Sequence, residues 1–167
     1  MRRAKRRRRS APIASISSTY RISPISLIFH WTRASVASPQ TAGTSIILDT
    51  NIFVDHLRNF PPAVKYVEAL GVETVFFSAI TEAELLAGRH NNNPKKREKL
   101  LQLLLQWTKV PVTNPVAVLA GDFSRQYCMQ IPDALIAATA VLNNAELITK
   151  NVKDFQKVEK LRVKEPY

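Results

Sequence analysis

The chain is poor in the residues that staple small folds or build soft metal sites. It has a single cysteine, Cys128, in 167 residues. That excludes a disulfide framework and a cysteine zinc site within one chain, and favours a reducing compartment such as the cytoplasm. No apolar run approaches the ~20 residues of a spanning helix; Ile25 to Phe29 is far too short, so no membrane partner is expected. His30, His56 and His90 show neither metal-ligand spacing nor a carboxylate partner pattern, and read as ordinary surface or partly buried histidines. Acids are missing altogether before Asp49: all 13 lie at or after it, whereas nine of the 24 basic residues precede Ile46. The net charge of +11 therefore divides unevenly, with +9 on the first 45 residues and 15 basic against 13 acidic residues in the remainder. The strong charge is a property of the tail.

Residues 1–44 begin with R-R-A-K-R-R-R-R, are rich in Ser, Thr, Ala and Pro, and hold no helical or strand period. They read as a disordered basic extension. Three origins fit: an organelle transit peptide, a basic arm that contacts nucleic-acid phosphates, or upstream sequence included by an early start codon. The last is expected, because the folded pattern opens abruptly at Ser45 and nothing downstream needs the tail. Residues 45–167 then supply one domain; at 46% apolar the chain can fill a core.

That domain is organised around Ile46 to Leu57, I-I-L-D-T-N-I-F-V-D-H-L. Three large aliphatic residues suit a strand buried on both faces of a parallel sheet. The run stops at Asp49, where the strand leaves the sheet, and open α/β sheets bind ligands outside the carboxyl ends of their strands. Thr50 and Asn51 read as turn and helix-cap residues, with Ile52, Phe53 and Leu57 forming one helical stripe. Asp49 alone fits two roles, a site acid or a plain strand end that caps the next helix.

Further along, Pro61-Pro62 opens a helix to Leu70, and Val72 to Phe77 is a second strand. Ser78 caps A-I-T-E-A-E-L-L-A, which Gly88 ends, and a polar H-N-N-N loop follows. Asn93 and Pro94 start a helix whose buried face is Leu100, Leu101, Leu103, Leu104 and Trp107; Lys95, Lys96, Arg97 and Lys99 at its start read as a solvated face, with a phosphate path as the alternative. Val110 to Val112 is a short third strand, and Val116 to Tyr127 an amphipathic helix. Asp133 opens a helix that is apolar almost all round; Glu146 to Thr149 is the fourth strand, N-V-K-D-F a turn, and Leu161 to Val163 a small last strand. Strand–helix alternation implies a three-layer α/β/α sandwich around a parallel sheet of four to five strands.

Polar residues recur at one edge of that sheet: Asp49, Ser78 to Glu84, Asp133, and Asn151 to Asp154. Carboxylates crowded together repel unless they hold protons or a cation. Hard oxygen ligands suit Mg²⁺ or Mn²⁺, metals that serve phosphodiester cleavage.

Four segments, L-D-T-N (48–51), S-A-I-T-E-A-E-L-L-A-G (78–88), P-D-A-L-I-A-A-T-A (132–140) and I-T-K-N-V-K-D-F (148–155), resemble the PIN domain. More closely they resemble its VapC-type toxin ribonucleases, from bacterial and archaeal type II toxin–antitoxin pairs. The resemblance spans residues 45 to 167 and leaves out the tail. It implies a Mg²⁺-dependent endoribonuclease (Mn²⁺ as a substitute) with Asp49, Glu84, Asp133 and Asp154 as the catalytic acids. Asp49 and Asp133 would hold the metal. Glu84 rather than Glu82 is implied, because it directly precedes the Leu of E-L-x-x-G, and residues two apart on a helix point roughly oppositely. The fourth acidic place is open between Asn151 and Asp154. Thr50, Asn51 and Thr149 are expected to hold the loops by hydrogen bonds. The resemblance also implies an RNA substrate, a homodimer and a cognate antitoxin that covers the site. Two alternatives stand beside it: a PIN nuclease of RNA processing, and a non-cleaving module that binds RNA or protein.

Overall fold

The computed structural model describes residues 45–71 and 75–167. The basic extension and Val72, Glu73 and Thr74, read as the start of the second strand, lie outside the described residues. Five strands, β1 (Ile46–Leu48), β2 (Val75–Ser78), β3 (Thr108–Val110), β4 (Glu146–Ile148) and β5 (Arg162–Lys164), form one all-parallel sheet ordered β3-β2-β1-β4-β5. Seven helices accompany it among the described residues: α1 (Thr50–Leu57), α2 (Pro61–Glu68), α3 (Ala79–Ala87), α4 (Pro94–Leu104), α5 (Asn114–Tyr127), α6 (Ile131–Leu142) and α7 (Val152–Phe155).

The central strands are apolar on both faces, so alternate residues feed two cores. Ile47 and Leu147 pack with Val116, Ala120 and Phe123 of α5 and with Ile136, Ala137 and Ala140 of α6. Leu48, Phe77 and Ile148 face the other way, towards Ile52, Phe53, Leu85, Leu100, Leu104 and Trp107. Ala134, Ala137, Ala138 and Ala140 are all fully buried, small side chains that let α6 lie close to its neighbours. α3 belongs to neither layer alone: it packs against both α1 and α6, with Ile80 on the first core and Leu85 in the second. This helix therefore bridges the carboxyl edge of the sheet.

Several local expectations shift. The third strand is Thr108–Val110 rather than Val110 to Val112, and Val112 is 40% exposed. Trp107 follows α4 instead of riding on it, and its ring meets Phe53 edge-on at 5.6 Å. α2 ends at Glu68, short of Leu70; the first three residues of the H-N-N-N loop lie in a 3₁₀ turn at Arg89–Asn92; and the N-V-K-D-F turn contains the short helix α7. β5 sits one residue later than the apolar pattern suggested.

At the end of α5, Cys128 takes a left-handed conformation, φ 52° and ψ 41°. A Cβ is unfavourable there, and glycine is the usual residue. The side chain is exposed, so removing it loses little packing. Cys128→Gly is expected to stabilise the fold by about 1 kcal/mol, read as a higher denaturant midpoint at unchanged slope. A lower midpoint would mean that the thiol makes an interaction worth more than the backbone strain.

Candidate active site

The chain leaves β1 towards β2 and β3 on one side, then returns past it to β4 and β5 on the other. Sheets of this kind open a crevice at the carboxyl ends of the strands where the direction reverses. Leu48 is in register with Phe77 and with Ile148, so the next residues, Asp49, Ser78 and Thr149, line that edge together. Asp49 is only 5% exposed, and Ser78 and Thr149 are fully buried.

Asp49 caps the next helix with one oxygen and turns the other to the end of β4. Its Oδ1 accepts the backbone N–H of Thr50 at 2.7 Å and caps α1. Thr50 and Asn51, read as cap residues, are instead the first two residues of the helix. The second oxygen, Oδ2, accepts from Asn51 Nδ2 and from Thr149 Oγ1, both at 2.6 Å. Asn51 Nδ2 also reaches Thr149 Oγ1 at 3.0 Å, Asn51 Oδ1 accepts from the Lys150 backbone at 3.2 Å, and Thr149 Oγ1 accepts from the Asn151 backbone at 2.9 Å. These bonds tie the start of α1 to the end of β4 and fix the carboxylate between them.

Three more acids reach this edge. Glu84, carried over it by α3, accepts a 2.5 Å hydrogen bond from Thr50 Oγ1. Asp133 lies half-buried in the first turn of α6. Asp154 is exposed on α7 and accepts from Asn151 Nδ2 at 2.6 Å, so the two candidates for the fourth place form one hydrogen-bonded pair. Burial is the main reason that the Asp49 carboxyl is pushed up from 3.8 to about 6; its hydrogen bonds from Thr149 and Thr50 pull the other way, and the charges of Asp133 and Glu84 push further. Asp133 is raised too, by burial first, then by Glu84 and Asp154, with Lys157 offsetting part of the effect. Glu82 lies apart, paired with Lys109 of β3 at 2.8 Å.

Among the described residues, no three His, Cys, Asp or Glu side chains already stand close enough together to hold a metal ion. The donor chemistry does fit a hard divalent cation. The groups are carboxylates, their charges push the Asp49 and Asp133 carboxyls up, and a bound cation would relieve that repulsion. Asp49 and Asp133 carry the upward shifts, so positive charge would act most strongly on them.

Two neighbours were not visible in the sequence. Lys157 acts on Asp133 from beyond α7. Tyr167 closes over the flank of the site: its ring lies 4.6 Å from the Lys150 ammonium, which also donates to the Tyr167 carbonyl at 3.2 Å. Tyr167 Oη donates to Asp55 at 3.3 Å, so Asp55 is tied down rather than turned freely to solvent. Burial and the Asp55 carboxylate push the Tyr167 phenol up to about 12. Tyr66 packs edge-on to Tyr167 at 6.2 Å. His56 is partly buried with Nδ1 unpartnered, His90 is exposed, and His30 lies outside the described residues.

A parallel sheet ordered in this way, with acids from β1, α3, α6 and α7 at its carboxyl edge, defines a class. The PIN domain model matches residues 46–161, and the chain belongs to the PIN domain family. It is 34% identical over 116 residues to Ribonuclease VapC19 of Mycobacterium tuberculosis, covering 65% of this chain and 90% of that protein. Ribonuclease VapC1 of Haemophilus influenzae is 30% identical over 125 residues, covering 70% of this chain and 93% of the relative. Among solved structures, a toxin–antitoxin complex from Klebsiella pneumoniae superposes with a TM-score of 0.64 at 29% identity, covering 74% of this chain and 98% of its counterpart. Among the described residues, no helix is long and apolar enough to cross a membrane.

Proposed function

We propose that this chain is a Mg²⁺-dependent endoribonuclease, the toxin of a type II toxin–antitoxin pair, acting in the cytoplasm as a homodimer that its cognate antitoxin silences. The observation that carries the reading is the electrostatic coupling of Asp49, Glu84 and Asp133, delivered by three different elements to the switch point of a PIN fold. Relatives named as VapC ribonucleases, and a structural neighbour described as a toxin–antitoxin complex, support it.

Asp49 and Asp133 would hold the metal, which when bound supplies a more acidic water and positive charge at the scissile phosphate. The rest is the work of the chain's own side chains. Thr50, Asn51 and Thr149 fix both oxygens of Asp49, so that the carboxylate needs no reorganisation when substrate arrives. Thr50 steadies Glu84 and Asn151 steadies Asp154. Glu84 and Asp154 orient the attacking water and accept its proton.

The test is cleavage of total RNA by the purified protein with Mg²⁺, with Mn²⁺ and with EDTA, together with growth on induction with and without the adjacent open reading frame. Fragments that depend on the divalent ion, and growth arrest relieved by the neighbouring product, are expected. RNA binding without cleavage in either metal would overturn the nuclease reading in favour of a binding module. Cleavage without growth arrest would leave a processing nuclease and remove the toxin.

A further inference from the structure

We propose that two banks of exposed basic side chains, Arg89 to Lys99 on one side and Lys150 to Lys157 on the other, carry the phosphate backbone of an RNA strand through the acid pocket. This rests on the nuclease reading and specifies how the substrate is held. A pocket of four carboxylates repels a polyanion, so phosphates on either side of the scissile one need cations beside the acids, not only within them.

The body's charge is arranged to supply these. Arg89, Lys95, Lys96, Arg97 and Lys99 face one acid, Glu98, in their stretch, and Lys150, Lys153 and Lys157 face only Asp154 in theirs. The other seven basic residues after Ile46 are outnumbered by eleven acids, so the near-neutral body is two positive banks on an otherwise negative surface. The ion pairs found among the described residues, Glu82 with Lys109 and Asp122 with Arg125, include none of the eight. Arg89, Lys95, Lys96, Arg97, Lys99, Lys150, Lys153 and Lys157 are all exposed.

The topology puts both banks at the same end of the sheet as the acids. β3 is parallel to β2, so Thr108 marks the amino edge, and α4 ends just before it at Leu104. Eleven residues of helix span about 16 Å, long enough for a helix running back along the sheet from that edge to begin near the carboxyl ends, where α3 carries Glu84. The second bank begins immediately after β4 at that edge, and Lys157 is near enough to Asp133 to lower its carboxyl. Lys95, Lys96 and Arg97 also sit in the first turn of α4 with no acid among them. Cations there work against the helix dipole, so folding alone gives no reason for them.

The experiment uses the full chain carrying Asp49→Asn, in EDTA so that the substrate stays intact, and a labelled single-stranded oligoribonucleotide of about twenty nucleotides. Dissociation constants are measured between about 50 and 200 mM salt. Three forms are compared: the parent, K95Q/K96Q/R97Q, and the charge-matched control R58Q/K65Q/R162Q. The basic residues before Ile46 are the same in all three and cancel. The bank variant is expected to lower the slope of log K against log salt by about 2, at ~0.7 for each single-strand phosphate that the protein ceases to neutralise, and to weaken binding roughly tenfold at the lower salt. The control should stay within about twofold of the parent, the scatter expected of surface changes. Adding K153Q/K157Q should lower the slope further. Equal losses in bank variant and control would overturn the proposal, leaving net charge as the whole effect; so would an unchanged slope in the bank variant. Wild-type cleavage of total RNA is scored separately, so a failed nuclease reading shows there and a failed track shows here.

Discussion

Asp49→Asn is expected to lower metal-dependent cleavage by roughly 10³-fold, the scale on which a single charge-stabilising group acts, while the metal-free protein becomes more stable. Both results have one origin. The carboxyl of Asp49 is raised from 3.8 to about 6, chiefly by burial. A raised folded value means that the native state binds the proton more tightly than the unfolded chain. Its contribution to stability is complete below about pH 4 and is lost as pH rises through about 6. At neutral pH the ionised group then costs the metal-free fold about 3 kcal/mol. The asparagine removes that cost but has one acceptor oxygen where the carboxylate uses two, facing Thr50 on one side and Asn51 and Thr149 on the other. One donor is left opposite another, so the net gain should fall between about 0 and 2 kcal/mol. Denaturant unfolding in EDTA at pH 5 and pH 7.5 tests this: the wild type should weaken between the two, the variant much less. A lower midpoint for the variant at both pH values would make capping the dominant role of Asp49. Near wild-type cleavage at matched Mg²⁺ would move the centre elsewhere.

What the sequence revealed and what it hid divide along physical lines. The central strands were legible because burial on both faces demands apolar runs such as Ile46–Leu48 and Leu147-Ile148, and α6 because an all-round apolar face has no other home. β3 was misplaced because it is an edge strand. Thr108 and Lys109 are exposed and polar, so the adjacent Val110 to Val112 run carries the stronger apolar signal, two residues too far along. α7, four residues long, is too short to show a period. At the site, the acids could be placed because each ends a strand or starts or lines a helix. Tyr167 could not, since it meets Asp55 across 112 residues of chain and no local pattern records such a pairing. Pattern could not separate a capping Asp49 from one placed at the strand ends either, because one carboxylate oxygen caps α1 while the other meets Thr149 at the end of β4.

The two glutamates of α3 give the sharpest separation. They are two residues apart, about 200° around a helix, so one cannot stand in for the other. Glu84 accepts from Thr50 and adds to the charge felt by Asp49 and Asp133. Glu82 points to β3 and is bound to Lys109, with 24% of its side chain exposed. Glu84→Gln keeps an oxygen for the Thr50 hydroxyl and removes only the charge and the proton-accepting capacity. The protein should therefore fold, and cleave ~10²-fold more slowly or worse, the cost of losing a positioned acid–base group. Glu82→Gln gives up one exposed ion pair, worth roughly 0.2–1 kcal/mol of stability, and cleavage should stay within about twofold of wild type, because no part of the acid cluster is disturbed. Single-turnover rates on the same RNA at saturating Mg²⁺, beside a melting curve for each variant, decide the matter. If Glu82→Gln proves the slow one while Glu84→Gln cleaves normally, the helix does not present the face to the pocket that its hydrogen bonds indicate, and Glu84 is only a brace for Thr50.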